Sequence, residues 1–264
     1  MTMLNVVYAF AVLAGLGVLF GGVLAVAGKV FAVEEDPRLE PLTEALPGAN
    51  CGGCGFSGCA AYAAAVLSGK AAPGGCPVGG EEAAKAMAEI MGVSLSAQAR
   101  KVALVHCTGH GHVHQNYDYD GINDCLAASR LPGGGPLACP DGCLGFGSCV
   151  KACPFDAIHV DPENHVAVVD PDKCKACGKC IATCPRGIIS LVPADPHVSI
   201  LCSSKRKGVF VRQVCDIGCL GCGICEKTCP EGAITVEQFL ARIDYDKCVH
   251  CEKCEEKCPR HLIR

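Results

Sequence analysis

Tryptophan is absent from this 264-residue chain, only 5% of its residues are aromatic, and it has four methionines. A chain so poor in large rigid apolar groups lacks the material of a sizeable aromatic core. An excess of positive charge is missing too: 23 Lys and Arg stand against 27 Asp and Glu, a net charge of −4. No global basic field therefore argues for nucleic acid. No G-x-G-x-x-G follows a strand-like run and no G-x-x-x-x-G-K-[ST] occurs, which leaves nicotinamide, flavin and nucleotide sites without a signature. No Ser/His/Asp or paired-carboxylate constellation emerges either.

Charge is wholly missing from residues 1–28, where "VVYAFAVLAGLGVLFGGVLAVAG" runs for 23 residues before Lys29. At 1.5 Å per residue such a helix reaches roughly 34 Å, enough to span a bilayer. A cleaved signal peptide needs a basic leader and a shorter apolar core, so a retained single-pass anchor in contact with lipid over residues 4–28 is expected. Lys29 and Arg38 follow the span and no Lys or Arg precedes it, which predicts an inner-membrane protein with its soluble domains on the cytoplasmic side. The charged, proline-bearing "AVEEDPRLEPLTEALPGAN" that follows reads as a linker.

What the chain has in excess is cysteine, 24 residues of it. Most lie two or three residues apart, poorly placed to cross-link with one another and suited to joint capture of a metal centre in a reducing compartment. Cys51, Cys54, Cys59 and Cys76 form C-x2-C-x4-C-x16-C around an Ala-rich helical segment, and "EEAAKAMAEIMG" predicts a second helix capped near Gly92. "KVALVHC" has strand character. From Cys139 onward the chain repeats: Cys143, Cys149 and Cys153 recur 76 residues later as Cys219, Cys225 and Cys229, and Cys174, Cys177, Cys180 and Cys184 recur 74 residues later as Cys248, Cys251, Cys254 and Cys258. Short alternating pieces between the runs, "AIHV" with "VAVVD" and "AITV" with "ARIDYD", predict hairpins.

Three runs read C-x2-C-x2-C-x3-C-P, the pattern in which three thiolates hold one [4Fe-4S] cluster and the fourth crosses to its neighbour. Zinc sites more often pair separated C-x2-C knuckles. On this rule one cluster falls to Cys174, Cys177, Cys180 and Cys153, one to Cys219, Cys222, Cys225 and Cys258, and one to Cys248, Cys251, Cys254 and Cys229. The remaining run is short of a ligand, because Phe146 stands where its repeat has Cys222. Cys139, four residues before Cys143, is the expected substitute, joining Cys143, Cys149 and Cys184. With the amino-proximal set these account for 20 cysteines, and the four left, Cys107, Cys125, Cys202 and Cys215, are expected to hold a sixth cluster between the repeats.

The expected fold is α+β: an N-terminal transmembrane helix, a small helical four-cysteine iron–sulfur domain, and tandem bacterial 2[4Fe-4S] ferredoxin-like units. The expected boundaries are an anchor and flank at 1–32, a linker at 33–48, the four-cysteine domain at 49–95, a connecting segment at 96–136, ferredoxin-like unit 1 at 137–193, an inter-unit connection at 194–214 and unit 2 at 215–264. His106, His110, His112 and His114 read as a polar surface loop rather than a metal site. "SSKRKG", with Lys205, Arg206 and Lys207, is by default a solvated run and otherwise a docking patch for an acidic protein.

The anchor, "GANCGGCGFSGCAAYAAA", "CPVGG", "HCTG", "GINDCLAA" and "DGCLGFGSCVKACPFDAI", in that order, resemble the B subunit of the Rnf complex, the membrane ferredoxin:NAD+ oxidoreductase. The resemblance implies a chain that takes electrons from reduced ferredoxin and passes them to other membrane subunits, which reduce NAD+ and export Na+ or H+. It implies an electron relay without a catalytic acid or base and without an NAD site of its own. A polyferredoxin component of a membrane hydrogenase or other reductase would share every motif from Cys139 onward. A non-enzymatic redox sensor would need a signalling module that the sequence does not display.

Overall fold

The computed structural model describes residues 3–30, 36–95, 99–194 and 198–264. The expected anchor flank and linker start at 31–35, the head of the connecting segment at 96–98, and residues 195–197 of the inter-unit connection lie outside the described residues. The chain divides into two compact units, 1–41 and 42–264.

In the first unit, helix α1 (Met3–Val30) covers 28 residues, about 42 Å at the usual rise. Apolar side chains occupy all its faces and stand exposed, from Val7 through Val26, a distribution that belongs to a buried helix or a membrane span. Its Phe10–Lys29 stretch is long and apolar enough to cross a membrane. The short helix α2 (Leu39–Glu44) follows.

The second unit opens with α3 (Cys59–Leu67) and α4 (Gly80–Met91). Gly92 ends α4 in the left-handed conformation at φ 65°, and Glu81 pairs with Lys85 at 2.7 Å one turn on, as the capped pattern predicts. Leu42, Tyr62, Val66 and Met87 are fully buried around these two helices, among the largest such side chains of the unit. Next come strand β1 (Lys101–Val105), helices α5 (Cys125–Ser129) and α6 (Ser148–Lys151), strands β2 (Ile158–Val160) and β3 (Ala167–Val169), helix α7 (Lys179–Thr183) and strand β4 (Ile189–Pro193). Helices α8 (Gly208–Val214) and α9 (Ile224–Thr228), strands β5 (Ile234–Glu237) and β6 (Leu240–Ile243), and helix α10 (Lys253–Lys257) complete the chain.

The hairpins β2–β3 and β5–β6 form where the alternation predicts them. Each repeat, however, is wider than expected. Strand β1, in the segment read as a connection, pairs antiparallel with β4 in the register Val105↔Ile189. In the second repeat Ile200 bridges Ile263, with Leu201 N–H donating to Leu262 O at 3.2 Å; this matches His106 N–H to Ile188 O at 2.8 Å in the first. The segments around β1 and around Ile200 therefore pair with the end of their own repeats, and Cys107 and Cys202 each stand two residues after that pairing, past Val105 and Ile200. Between that cysteine and the one preceding the first run, the first repeat spans 32 positions (107 to 139) and the second 13 (202 to 215), an insertion of 19 residues. Both repeats bury cysteines among their aliphatic side chains, so the centre of each core is thiol-lined.

Candidate metal centres

Three of the expected sets stand together in space. Cys219, Cys222, Cys225 and Cys258 line one cavity, Cys229, Cys248, Cys251 and Cys254 a second, and Cys153, Cys174, Cys177 and Cys180 a third. Their local geometry has one cause. A left-handed residue precedes the helix in each cysteine loop, Gly178 at φ 76° and Gly223 at φ 72°, while in the last run Glu252 carries that conformation at φ 59°. Such turns gather backbone N–H groups on the concave side. Ala103 N–H approaches Cys174 Sγ at 3.4 Å and Ala233 N–H approaches Cys229 Sγ at 3.3 Å. In the amino-proximal set, Cys76 lies within electrostatic range of Cys54 and Cys59, and its Sγ accepts from Gly79 N–H at 3.3 Å.

The fourth cavity corrects an expectation. It is lined by Cys143, Cys149 and Cys184 together with Cys125, and Cys139 is not among its lining residues. The fourth thiol lining this cavity comes from the insertion. Phe146 sits edge-on to Tyr119 of that insertion, ring centres 5.0 Å apart, and Ser148 clamps its next turn: Cys125 N–H donates to Ser148 Oγ at 2.8 Å, and that hydroxyl donates to Asp124 Oδ2 at 2.8 Å. Asp124 also caps α5 by accepting from Ala127 N–H at 2.9 Å. Cys139 packs in one apolar cluster with Cys215 and lies within electrostatic range of Cys107, and Cys202 lies within range of Cys139 and Cys219. Cys107, Cys139, Cys202 and Cys215 line none of these four cavities.

Burial pushes several of the thiols in the repeats up. Cys149 and Cys202 rise to about 12, and Cys139, Cys143, Cys180 and Cys225 to about 11, with neighbouring thiols adding to the effect. Such groups are neutral until a metal displaces their protons. Among the described residues no group of three or more His, Cys, Asp or Glu closes to single-ion spacing; each of the four cavities is lined by four thiols, the ligand number of a four-iron cluster. Arg186 and Arg260 supply a further test of fit. Each lines the cavity of its own repeat, and each has a buried Nε without a hydrogen-bond partner. A buried orphan donor of this kind is costly alone and matches the sulfur-rich, anionic surface of an iron–sulfur cluster.

Comparison with known proteins agrees with this geometry. A family model described as "Putative Fe-S cluster" matches residues 46–78, and one described as "4Fe-4S dicluster domain" matches 138–188 and 218–262. The chain is 46% identical over 94% of its length to the B subunit of the Na(+)-translocating ferredoxin:NAD(+) oxidoreductase complex of Acetobacterium woodii, covering 74% of that protein. It is 42% identical to the B subunit of the ion-translocating oxidoreductase complex of Methanosarcina acetivorans, over 96% of both chains. To the B subunit of the proton-translocating ferredoxin:NAD(+) oxidoreductase complex of Clostridium ljungdahlii it is 45% identical, over 98% of this chain and 92% of that one. The chain belongs to the family of Rnf B subunits. It is an iron–sulfur electron-transfer component of an oxidoreductase complex.

In this Rnf protein, the histidine segment is structural. His106 is inserted between elements, its Nδ1 2.8 Å from Ile200 O and its Nε2 2.6 Å from Ser190 Oγ, and burial lowers its pKa. His112 O accepts from Asp216 N–H at 2.8 Å, and His114 joins both repeats through Val214 O and Ala138 N–H. The basic run is partly engaged: Arg206 Nε lies 3.7 Å from Asp141 and its guanidinium covers the Phe210 ring, while Lys205 and Lys207 are exposed. Sequence reasoning missed Arg186, Arg260 and Ser148. The C-P-R step at offset 74 in both repeats was the available signal for the arginines.

Proposed function

We propose that this Rnf protein accepts electrons from reduced ferredoxin at its carboxyl-terminal repeat and delivers them, through the amino-proximal four-cysteine domain, to partner membrane subunits of an ion-pumping ferredoxin:NAD+ oxidoreductase. The observation that carries this reading is 42–46% identity to the B subunits of such complexes over nearly the whole chain. When bound, four-iron clusters supply one-electron outer-sphere transfer without acid–base steps. The residues supply its frame. Thiols of the five motif-bearing sets hold the clusters, and the N–H groups aimed at Cys76, Cys174 and Cys229 stabilise thiolate.

Exposure supports the direction. Cys222 and Cys251, both in the second repeat, are the exposed cysteines of the chain, so a soluble donor approaches closest there. At the other end Gly53 lies against Cys177: a Cβ at Gly53 would stand 3.0 Å from Cys177 Cα. That close approach links the four-cysteine domain to the first repeat. Helix α1 holds the chain in the bilayer with Lys29 on the cytoplasmic side.

The test uses full-length chain, loaded anaerobically in detergent. Ferredoxin-driven bleaching of its visible absorbance should slow when Lys205 and Lys207 become Gln at low salt, with dithionite reduction unchanged. Failure of reduced ferredoxin to bleach a protein that dithionite bleaches would refute ferredoxin as donor.

A further inference from the structure

We propose that the face of the second repeat around Cys222 is the docking surface of an acidic, soluble one-electron carrier, at the place that the chain's own insertion covers in the first repeat. The inference rests on the ferredoxin reading above and gives it a surface. On contact the carrier's centre loses one electron and the centre held by Cys222 gains it, with no bond made and no proton moved.

Residues 142–149 and 218–225 read GCLGFGSC and GCLGCGIC, so the two loops differ at two positions, Phe146 against Cys222 and Ser148 against Ile224. Their backbones match, with Gly147 and Gly223 left-handed at φ 70° and 72° before the helix. In the first repeat both variable positions are taken up by the insertion. The Tyr119 ring lies edge-on to Phe146, Asp124 Oδ2 accepts from Ser148 Oγ, and Ser148 is left 7% exposed. The second repeat lacks those 19 residues. There Cys222 is exposed, and Ile224 keeps 39% of its surface.

Two neighbouring segments extend the bare loop into a face. A Cβ at Gly208 would stand 2.7 Å from Leu220 O, and one at Gly221 would stand 2.7 Å from Phe239 Cα, so the start of α8 and the β5–β6 turn both pack against the loop. Each carries an exposed apolar side chain, Val209 at 73% and Phe239 at 44%. With Ile224 they make an apolar surface beside Cys222. The approach to that surface is basic. Residues 203–214 hold Lys205, Arg206, Lys207 and Arg212 and no Asp or Glu, and all four cations are exposed. Glu226, the acidic side chain of α9, is engaged by Val236 N–H at 3.2 Å.

What covers the first loop indicates what suits the second. From residue 108 to residue 129 the covering segment has Asp118, Asp120 and Asp124, Tyr117 and Tyr119, and no Lys or Arg. The chain thus closes this face in one repeat with an acidic, Tyr-bearing segment and presents it in the other with a basic rim. An acidic carrier is the complementary occupant, whereas a basic one would meet like charge. An exposed apolar centre with a charged rim fits a transient electron-transfer contact, in which charge sets the approach rate and a small apolar area holds the pair briefly. Entry is also made one-sided, because Tyr119 and Asp124 already occupy the equivalent loop of the first repeat.

The test follows second-order reduction of the full-length, anaerobically loaded chain by an acidic 2[4Fe-4S] ferredoxin in stopped flow. Val209→Asp combined with Ile224→Asp should slow it at least about tenfold at low salt, with iron content and dithionite reduction unchanged. Val209→Lys should keep or raise the rate. Ile122→Asp, at an exposed position of the insertion, should leave it unaltered. Carbodiimide cross-linking needs no variant and should join ferredoxin carboxylates to Lys205 or Lys207. A wild-type rate in the double-Asp chain, slowing of equal size from Val209→Lys, or cross-links confined to lysines outside 205–207 would overturn the docking face, as would a dimer of this chain that the double-Asp change dissociates. A wild-type chain bleached by dithionite and not by ferredoxin would instead overturn ferredoxin as the donor.

Discussion

Replacing Tyr62 with phenylalanine removes one oxygen from the four-cysteine domain and leaves the ring in place against Phe56, 5.6 Å between centres. The lost hydroxyl accepts from Gly75 N–H at 2.8 Å and donates to Ala72 O at 2.5 Å. Burial raises its pKa, so it is protonated and able to donate throughout the neutral range. These two bonds close the turn at Pro73–Gly75, which delivers Cys76 to the other three thiols. A net hydrogen bond contributes about 0.5–1.5 kcal/mol, so the pair is worth about 1–3 kcal/mol. At 1.4 kcal/mol per factor of ten, the population with that turn open should rise roughly 5- to 150-fold. Iron release to a chelator under anaerobic conditions reads this directly. A phase of about four irons should accelerate by that factor while the rest of the trace is unchanged. An unaltered trace, or equal acceleration of every phase, would refute the claim that Tyr62 acts locally on the Cys76 turn.

Gly53→Val would push a side chain into Cys177 Cα at 3.0 Å and its carbonyl at 3.1 Å, an overpacking cost of about 1–3 kcal/mol; faster limited proteolysis within residues 92–100 is the expected outcome, and an unchanged cleavage rate would count against the contact. Arg186→Gln should make the midpoint potential of the first repeat more negative in an EPR-monitored titration, because a buried cation beside an anionic centre is lost, and Arg186→Lys should recover much of that shift by keeping the charge while losing the bridge between Pro140 O and Gly134 O. Deleting residues 1–28 should release a soluble brown protein; retention in membranes without partner subunits would refute the anchor.

Spacing alone revealed much of this molecule. Three of the cysteine runs are written as C-x2-C-x2-C-x3-C-P, in which one short loop presents three thiols to one centre and the fourth to its neighbour, so local sequence carries most of the geometry. The same is true of α1, whose uncharged run needs no partner to be recognised, and of the hairpins, whose alternation is local. The sequence also showed that one repeat was short of a ligand and that four cysteines were left over. Which cysteine lines that cavity as its fourth thiol was not legible. Cys139 is nearer in sequence and equivalent to Cys215, whereas Cys125 reaches the cavity only because Phe146 packs on Tyr119 and Ser148 clamps Asp124 across 24 residues of chain. The full extent of each repeat was hidden for a related reason: β1 and β4 meet across the whole first repeat, and such long-range pairing leaves no periodicity beyond that of a single strand. Ligand type and count follow from local spacing, while the division of ligands between centres is set by contacts between segments far apart in the chain.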